Sequence, residues 1–449
     1  MNRHSYIPHT EEDRAKMMAY LGITDTDALF EDIPRSVRLR RALDLPAAMP
    51  ELTLERHLHQ LSRKNLDFSQ VTSFLGAGAY EHYVPSVVDA IVSRSEFYTS
   101  YTPYQPEISQ GMLQAIFEYQ TMVAELTGMD IANASMYDGP TALGEAGIVC
   151  CAHTRRNRLL VASNLNPEYR AVLETYAAGQ AVELVDVPSK GGVLDLEALA
   201  ALCDTSVAGI LVQYPNFFGC VEDIRSIASI AHAAQALLVV AAYPIALGYL
   251  EAPGVLGADL VVAEGQSLGN AVAYGGPYLG IMAAKKELMR RLPGRIVGQT
   301  TDAQGRRGFV LTLQAREQHI RREKASSNIC SNQALNALAA TVYLSYMGPQ
   351  GLSEVARQCH HKARYLEARL CQLPGVRRVF AEPYFNEFVV RLPKPVSEVQ
   401  ARLLEQGFLF GLDLGRTLPE MDGCVLLTVT EVRTREEMDA VVTALEGCL

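Results

Sequence analysis

Tryptophan is absent from these 449 residues, and lysine is scarce, with eight in the chain. Apolar runs are short: none reaches the ~18 residues of a membrane-crossing helix, so no membrane partner is expected. The formal net charge is −10 and no Lys/Arg block interrupts it, which argues against a nucleic-acid partner. C-x-x-C pairs are missing as well. The nine cysteines are scattered singly apart from Cys150-Cys151, whose neighbours Gly147, Ile148 and Val149 suit buried inert thiols rather than a zinc or redox site. No metal site is therefore expected. The polar and soon acidic stretch from Met1 to Arg14 carries no signal-peptide pattern, so a reduced, cytoplasmic protein is expected.

What is present is a hydrophobic fraction of 49%, ample for a large core. Residues 1–70 read as a helical segment in which Thr10 caps "TEEDRAKMMAYLG" and Gly22 stops it. A glycine-rich loop (Phe74–Val88) and a tyrosine- and proline-rich stretch (Glu96–Gly111) follow. Ser109 then caps a helix with Met112, Ile116, Tyr119, Val123 and Leu126 on one face and Gly128 as its stop. A second helix opens at Asp138-Gly139-Pro140. From Arg158 onward short apolar strands (158–162, 182–187, 207–214, 237–242, 258–264) alternate with helices (167–177, 195–203, 224–235), the pattern of a parallel sheet covered on both faces. Residues 278–284 read as a strand turning back, and 325–348 as a long helix leading out of the sheet. Strands at 387–392 and 425–430 and a final helix complete a smaller α+β part. Three parts result: a helical segment (1–70), a large α/β domain (71–325), and the connecting helix with a small α+β domain (326–449).

Several long segments narrow this further. "FLGAGAYEHYVPSVV", "EFYTSYTPYQPEISQGMLQAIFEYQTMVAELTGMDIANASMYDG", "EGQSLGNAVAYGGPYLG", "PGRIVGQT" and "LQAREQHIRREKASSNICSNQAL" closely resemble the P-protein of the glycine cleavage system. They match its first half, a separate chain in many prokaryotes: glycine dehydrogenase (decarboxylating) subunit 1. The resemblance implies a fold type I enzyme of the pyridoxal-phosphate (PLP) transferase class, with a mixed, mostly parallel seven-stranded sheet and a small C-terminal domain. It also implies that PLP sits on a partner chain, subunit 2. Enzymes of this fold make their Schiff base with a lysine just past a late strand, commonly as His-Lys. The matching dipeptide here is Gln266-Ser267, and neither residue can form that bond. The carboxylate that pairs with the cofactor's pyridine nitrogen is missing too, because the strand "LLVVAA" runs into Ala241-Ala242-Tyr243. Where a histidine is expected before Pro-Glu-Tyr-Arg, this chain has Asn166.

No catalytic residue is therefore expected in this chain, and no cofactor bound by it. The resemblance implies loops that complete the partner's site instead. Candidates are Tyr98, Tyr101, Thr102, Tyr104 and Gln105, whose hydroxyls and amide are good donors on a proline-fixed loop. Ser109 and Gln110 open a helix whose N–H groups favour an anion, and His82 and Tyr83 are placed by the resemblance near the substrate entrance. Arg321, Arg322 and Lys324, with Ser326 (a possible helix cap) and Asn328, form the densest basic cluster, suited to phosphate, the partner chain or an acidic carrier. The implied reaction is glycine decarboxylation with subunit 2 and transfer of the aminomethyl group to the lipoyl group of the H-protein. Two alternatives stand beside it: a self-sufficient PLP homodimer using an unexpected lysine such as Lys324, and a purely architectural pseudoenzyme.

Overall fold

The computed structural model describes residues 6–329 and 332–449. Residues 1–5, within the first helical segment, and 330–331, within the expected connecting helix, lie outside the described residues. The chain divides into two units at Leu66/Asp67. In the first, helix α1 (Glu11–Leu21) starts from a reciprocal cap: the Asp13 N–H donates to Thr10 Oγ1 at 3.0 Å, and the Thr10 N–H to Asp13 Oδ2 at 2.7 Å. Gly22 ends it at φ 70°. A second helix, α2, spans Glu51–Ser62, and neither helix has a buried residue.

The second unit is built on a seven-stranded sheet. Its strands are β1 (Ile131–Ala132), β2 (Arg158–Ala162), β3 (Glu183–Val187), β4 (Val207–Tyr214), β5 (Leu237–Ala242), β6 (Leu260–Glu264) and β7 (Gly280–Ala284). The spatial order is β1-β7-β6-β5-β4-β2-β3. The pairs among β2 to β6 are parallel, and β7 runs antiparallel to both its neighbours. Successive residues feed opposite cores: Leu160 and Val240 lie in one, Leu159, Val161 and Val239 in the other. That alternation explains why these strands read as unbroken apolar runs. Helix α3 (Gln110–Thr127) buries Leu113, Ile116, Tyr119 and Val123, and Gly128 closes it at φ 68°.

Beyond the sheet come a hairpin of β8 (Ile296–Thr301) and β9 (Arg307–Thr312), then the C-terminal antiparallel sheet. The hairpin was not legible in sequence because its "GQTTDAQGRRG" core is polar and lacks an apolar alternation. The long helix also departs from expectation. It begins at Ala334, not 325, and runs to Leu370 with a break at Gly348 (φ 60°) before Pro349. The preceding segment is tied down instead of helical: Ser327 Oγ donates to Glu145 and accepts from the Ile329 N–H. Ser326 therefore caps no helix. The first strand residues, Thr72-Ser73, pair in parallel with Phe408-Leu409, so the segment expected to open the large domain is hydrogen-bonded to the C-terminal part.

Helix α4 (Gly139–Thr154) packs against the sheet and buries nearly every residue of its first three turns, Glu145 among them. Burial pushes the Glu145 carboxyl up to about 7 from an ordinary 4.5, against the pull of its Ser327 bond. An acid with a higher pKa in the folded state binds extra protons there between the two values. Stability is therefore lost as pH rises from about 4.5 to about 7. Glu145→Gln removes this penalty. Thermal melts should show the variant more stable than wild type at pH 8, by on the order of 2 kcal/mol, with the gap closing at pH 5. An equal gap at both pH values would contradict the assignment.

Candidate functional site

A cavity of about 600 Å³ lies at the carboxyl ends of the parallel strands. It is lined by Tyr137 and Asp138 before α4, Asn166 to Tyr169 after β2, Phe217 after β4, Glu264 at the end of β6, and the Gly275–Tyr278 loop. The glycine-rich loop Leu75–Ala79 covers one side. Ligands of open α/β sheets bind at this place, and the volume suits a small molecule or cofactor.

The end of β6 is occupied by the chain's own hydrogen bonds. Glu264 accepts from the Gly139 N–H at 3.0 Å, and from the Gln266 and Leu279 N–H groups, each at 3.0 Å. Burial pushes its carboxyl up to about 7, with the Gly139 and Leu279 bonds pulling the other way. The Asp138 carboxylate takes the Thr141 N–H at 2.8 Å, so the N-terminus of α4 is satisfied internally by two carboxylates. A side chain at Gly139 would force its surroundings to shift, since an added Cβ would sit 2.1 Å from the Tyr169 hydroxyl and 2.9 Å from the Glu264 nitrogen.

Gln266 accepts from the Tyr80 N–H at 2.9 Å and donates to the Tyr80 and Asn270 carbonyls at 3.0 and 2.7 Å. Ser267 is 2% exposed, and its hydroxyl has no partner among the described residues. At the end of β5, Ala241 and Ala242 are buried, and Tyr243 packs on Tyr80 with ring centroids 4.4 Å apart. Asn166 caps the following helix through the Glu168 N–H and holds the glycine-rich loop by donating to the Ala77 carbonyl at 2.9 Å.

These groups do not fit PLP. Asp138, Glu168 and Glu264 line the cavity, and among the described residues no lysine, arginine or histidine does. A dianionic phosphate would meet carboxylates, and no amine is placed to form a Schiff base. Lys285 is paired with Asp259 at 2.6 Å beside the amino end of β6, Lys362 holds the Glu431 carbonyl, and Lys324 lines a separate pocket. Glu264 was missed in the sequence reading. Its signal was a carboxylate closing an otherwise apolar, two-face-buried strand just before Gly265.

The remaining candidates separate into exposed and buried groups. Tyr98, Tyr101 and Tyr104 are 57%, 64% and 74% exposed and lie outside the cavity lining, as do Thr102 and Gln105. Ser109 occupies the position before α3 but its hydroxyl makes no capping bond. Gln110 is committed to the hairpin, donating to the Phe309 carbonyl at 3.0 Å and accepting from its N–H at 2.8 Å. Tyr83 is exposed, whereas the His82 side chain is 2% exposed. Its Nδ1 sits 2.6 Å from Glu431 Oε2 and its Nε2 is hydrogen-bonded to the Tyr243 hydroxyl. Burial of Glu431 opposes ionisation, but the His82 bond and charge and the Tyr83 N–H outweigh it and hold the carboxyl below its usual value. The Cys359 thiol joins this group, donating to Glu431 at 3.5 Å. At 2.6 Å the His82 and Glu431 atoms are hydrogen-bonded, closer than the roughly 3.4 Å that separates two ligands at ~2.1 Å on a tetrahedral metal. Arg321, Lys324 and Ser326 line a common pocket, with Arg322 and Asn328 exposed outside its lining.

The sheet order, the long helix leading to a small α+β part and the cavity position define the fold type I class of PLP-dependent enzymes. A glutamate decarboxylase from Lactobacillus brevis superposes with a TM-score of 0.70 over 94% of this chain and 96% of its own, at 13% identity, a likeness of fold alone. Within that class the chain belongs to the glycine cleavage system P-protein family, whose profile matches residues 4–445. It is 57% identical over 445 residues to a Moorella thermoacetica protein named probable glycine dehydrogenase (decarboxylating) subunit 1, covering 99% of this chain and 100% of the relative. A crystal structure described as glycine decarboxylase (P-protein) of the glycine cleavage system, in inhibitor-bound form, matches with a TM-score of 0.91 at 44% identity, over 99% of this chain and 100% of that one.

Gln266 stitches the glycine-rich loop to the sheet, so Gln266→Leu should orphan a buried N–H and two carbonyls. At about 1–3 kcal/mol for each such group, less relaxation, a loss of roughly 3 kcal/mol is expected in urea unfolding. A loss below about 1 kcal/mol would show that the loop is held elsewhere.

Proposed function

We propose that this chain is the subunit of a glycine decarboxylase that does not hold PLP, and that it works paired with a second subunit that does. The observation that carries the reading is the end of β6. There Gln266-Ser267, in the register the resemblance gives to the Schiff-base lysine, follows Glu264, which lines a cavity whose charged lining is three carboxylates. Together the two subunits decarboxylate glycine and pass the aminomethyl group to the lipoyl group of the H-protein. The natural assembly is a heterotetramer, two such pairs, in the cytoplasm. Eight free cysteines among the described residues support a reducing compartment, and no helix among those residues is long and apolar enough to cross a membrane.

The contribution of this chain is the tyrosine loop. Tyr98, Tyr101, Tyr104 and Gln105 stand exposed, with Thr102 half-buried, on a segment anchored by Gln110 to the hairpin. Exposed tyrosines at this density suit an interface, where the ring packs and the hydroxyl donates. The loop, with Tyr83, would line the partner's site and orient bound groups there without performing proton or bond chemistry of its own.

Two measurements test this. The isolated chain, mixed with PLP, should show no Schiff-base absorption band and no glycine decarboxylation; either signal would overturn the reading. In the reconstituted enzyme, Tyr98→Phe or Tyr101→Phe should lower turnover about tenfold or more, the worth of one hydrogen bond to a charged group, with assembly intact. Unchanged turnover in both variants would leave the chain as scaffold only.

A further inference from the structure

The strongest unexplained feature is a second pocket, of about 340 Å³, on the outer side of α4. Ile148 and Val149 form its apolar floor, and its walls carry Arg290, Arg291, Arg316, Arg321 and Lys324, with Ser326. Five cations share this space in a chain of net charge −10. Among the described residues, no carboxylate lies within 4.0 Å of any of the five. The polar bonds they do make go to backbone: Arg316 Nη2 donates to the Gly294 carbonyl at 2.7 Å and Arg321 Nε to the Ala315 carbonyl at 3.0 Å. Arg316 Nε is buried without a partner. Other arginines of the chain do reach carboxylates, as in Arg433–Glu81 at 2.8 Å and Arg369–Asp439 at 2.6 Å, so what sets this group apart is that five cations share one pocket.

The pocket is linked to the tyrosine loop through the backbone at Gly294 and Arg295. Gly294, which anchors Arg316, precedes Arg295, and the Arg295 guanidinium lies over the Tyr104 ring at 5.9 Å. Exposed tyrosine beside clustered arginine is the composition of a protein interface. Arg290, Arg291, Arg321 and Lys324 are all exposed, so a small anion would leave them in water, where each contact is weak and salt-screened. A protein surface would exclude that water, and desolvated cations then require acidic partners.

We propose that this pocket is a socket for carboxylate side chains of the PLP-bearing second subunit, fixing the register in which the two chains dock. The inference rests on the two-chain reading of the function. Arg321→Glu/Lys324→Glu and the milder Arg321→Ala/Lys324→Ala are made in the full chain, with Arg225→Glu on the helix Ile224–Ala233 as a remote control, and circular dichroism confirms folding. Assembly with the second subunit is measured by sedimentation at low and high salt. Wild type should bind more weakly at high salt. The reversal should weaken assembly about tenfold or more at low salt and flatten that salt dependence, the alanine pair should fall between, and the control should match wild type. If wild type assembles and both pocket variants match it, the socket is refuted while the two-chain reading stands. If wild type does not assemble at all, both fall. A melting shift with pyrophosphate that the pocket variants lose, with assembly unaffected, would make the site a small-anion pocket and overturn the socket.

Discussion

The carboxyl end of β6 is where the rest of the molecule meets. Within three residues, Glu264 holds the first turn of α4 and the return strand, while Gln266 holds the glycine-rich loop and the turn that follows it. Each bond contributes only about 1 kcal/mol net, but leaving its buried partner unmade costs about 1–3 kcal/mol, so the cluster is cooperative. It spans positions 80, 139, 264, 266 and 279, which brings elements far apart in sequence to one point. In an enzyme of this fold that point belongs to the cofactor. Here Glu264 is bonded to the chain's own N–H groups and also borders the cavity of about 600 Å³.

This distinguishes the chain from a decayed enzyme that lost a single residue. A lysine at position 267 would start from a site that is 2% exposed, and among the described residues no lysine, arginine or histidine lines the cavity to meet a phosphate. The alanines that end β5, the Asn166 cap and the two carboxylates on α4 are a mutually consistent set, each packed or bonded in its present form. Chemistry-bearing side chains are instead at the surface: three exposed tyrosines on one loop and four exposed cations around one pocket, linked through Gly294 and Arg295.

Much of the fold was legible because burial on both faces writes itself as continuous apolar strands; β2, β4 and β5 start and stop where the sequence pattern does. The cap at Thr10 and the helix opening at Asp138 were equally legible, since side chain and backbone lie within a few residues, whereas Ser109 makes no capping bond and the Asn166 cap went unread. What failed depended on distant partners. The start of the long helix was misplaced because Ser327 is held by Glu145, 182 residues earlier. The burial of the His82 side chain was not legible either, and its partner Glu431 lies 349 residues away. The substitution at Gln266-Ser267 could be read from motif register alone. That Gln266 is a structural clasp, and that Glu264 takes the anion position of α4, required the three-dimensional arrangement.

The central claim is that the assembled enzyme carries its cofactor on the other chain. Borohydride reduction of the reconstituted two-chain enzyme loaded with PLP, followed by peptide mapping of both chains, tests it most directly. The account predicts a phosphopyridoxyl-lysine in the partner only, with all eight lysines of this chain unmodified. Stoichiometric label on any lysine of this chain, Lys324 included, would contradict it.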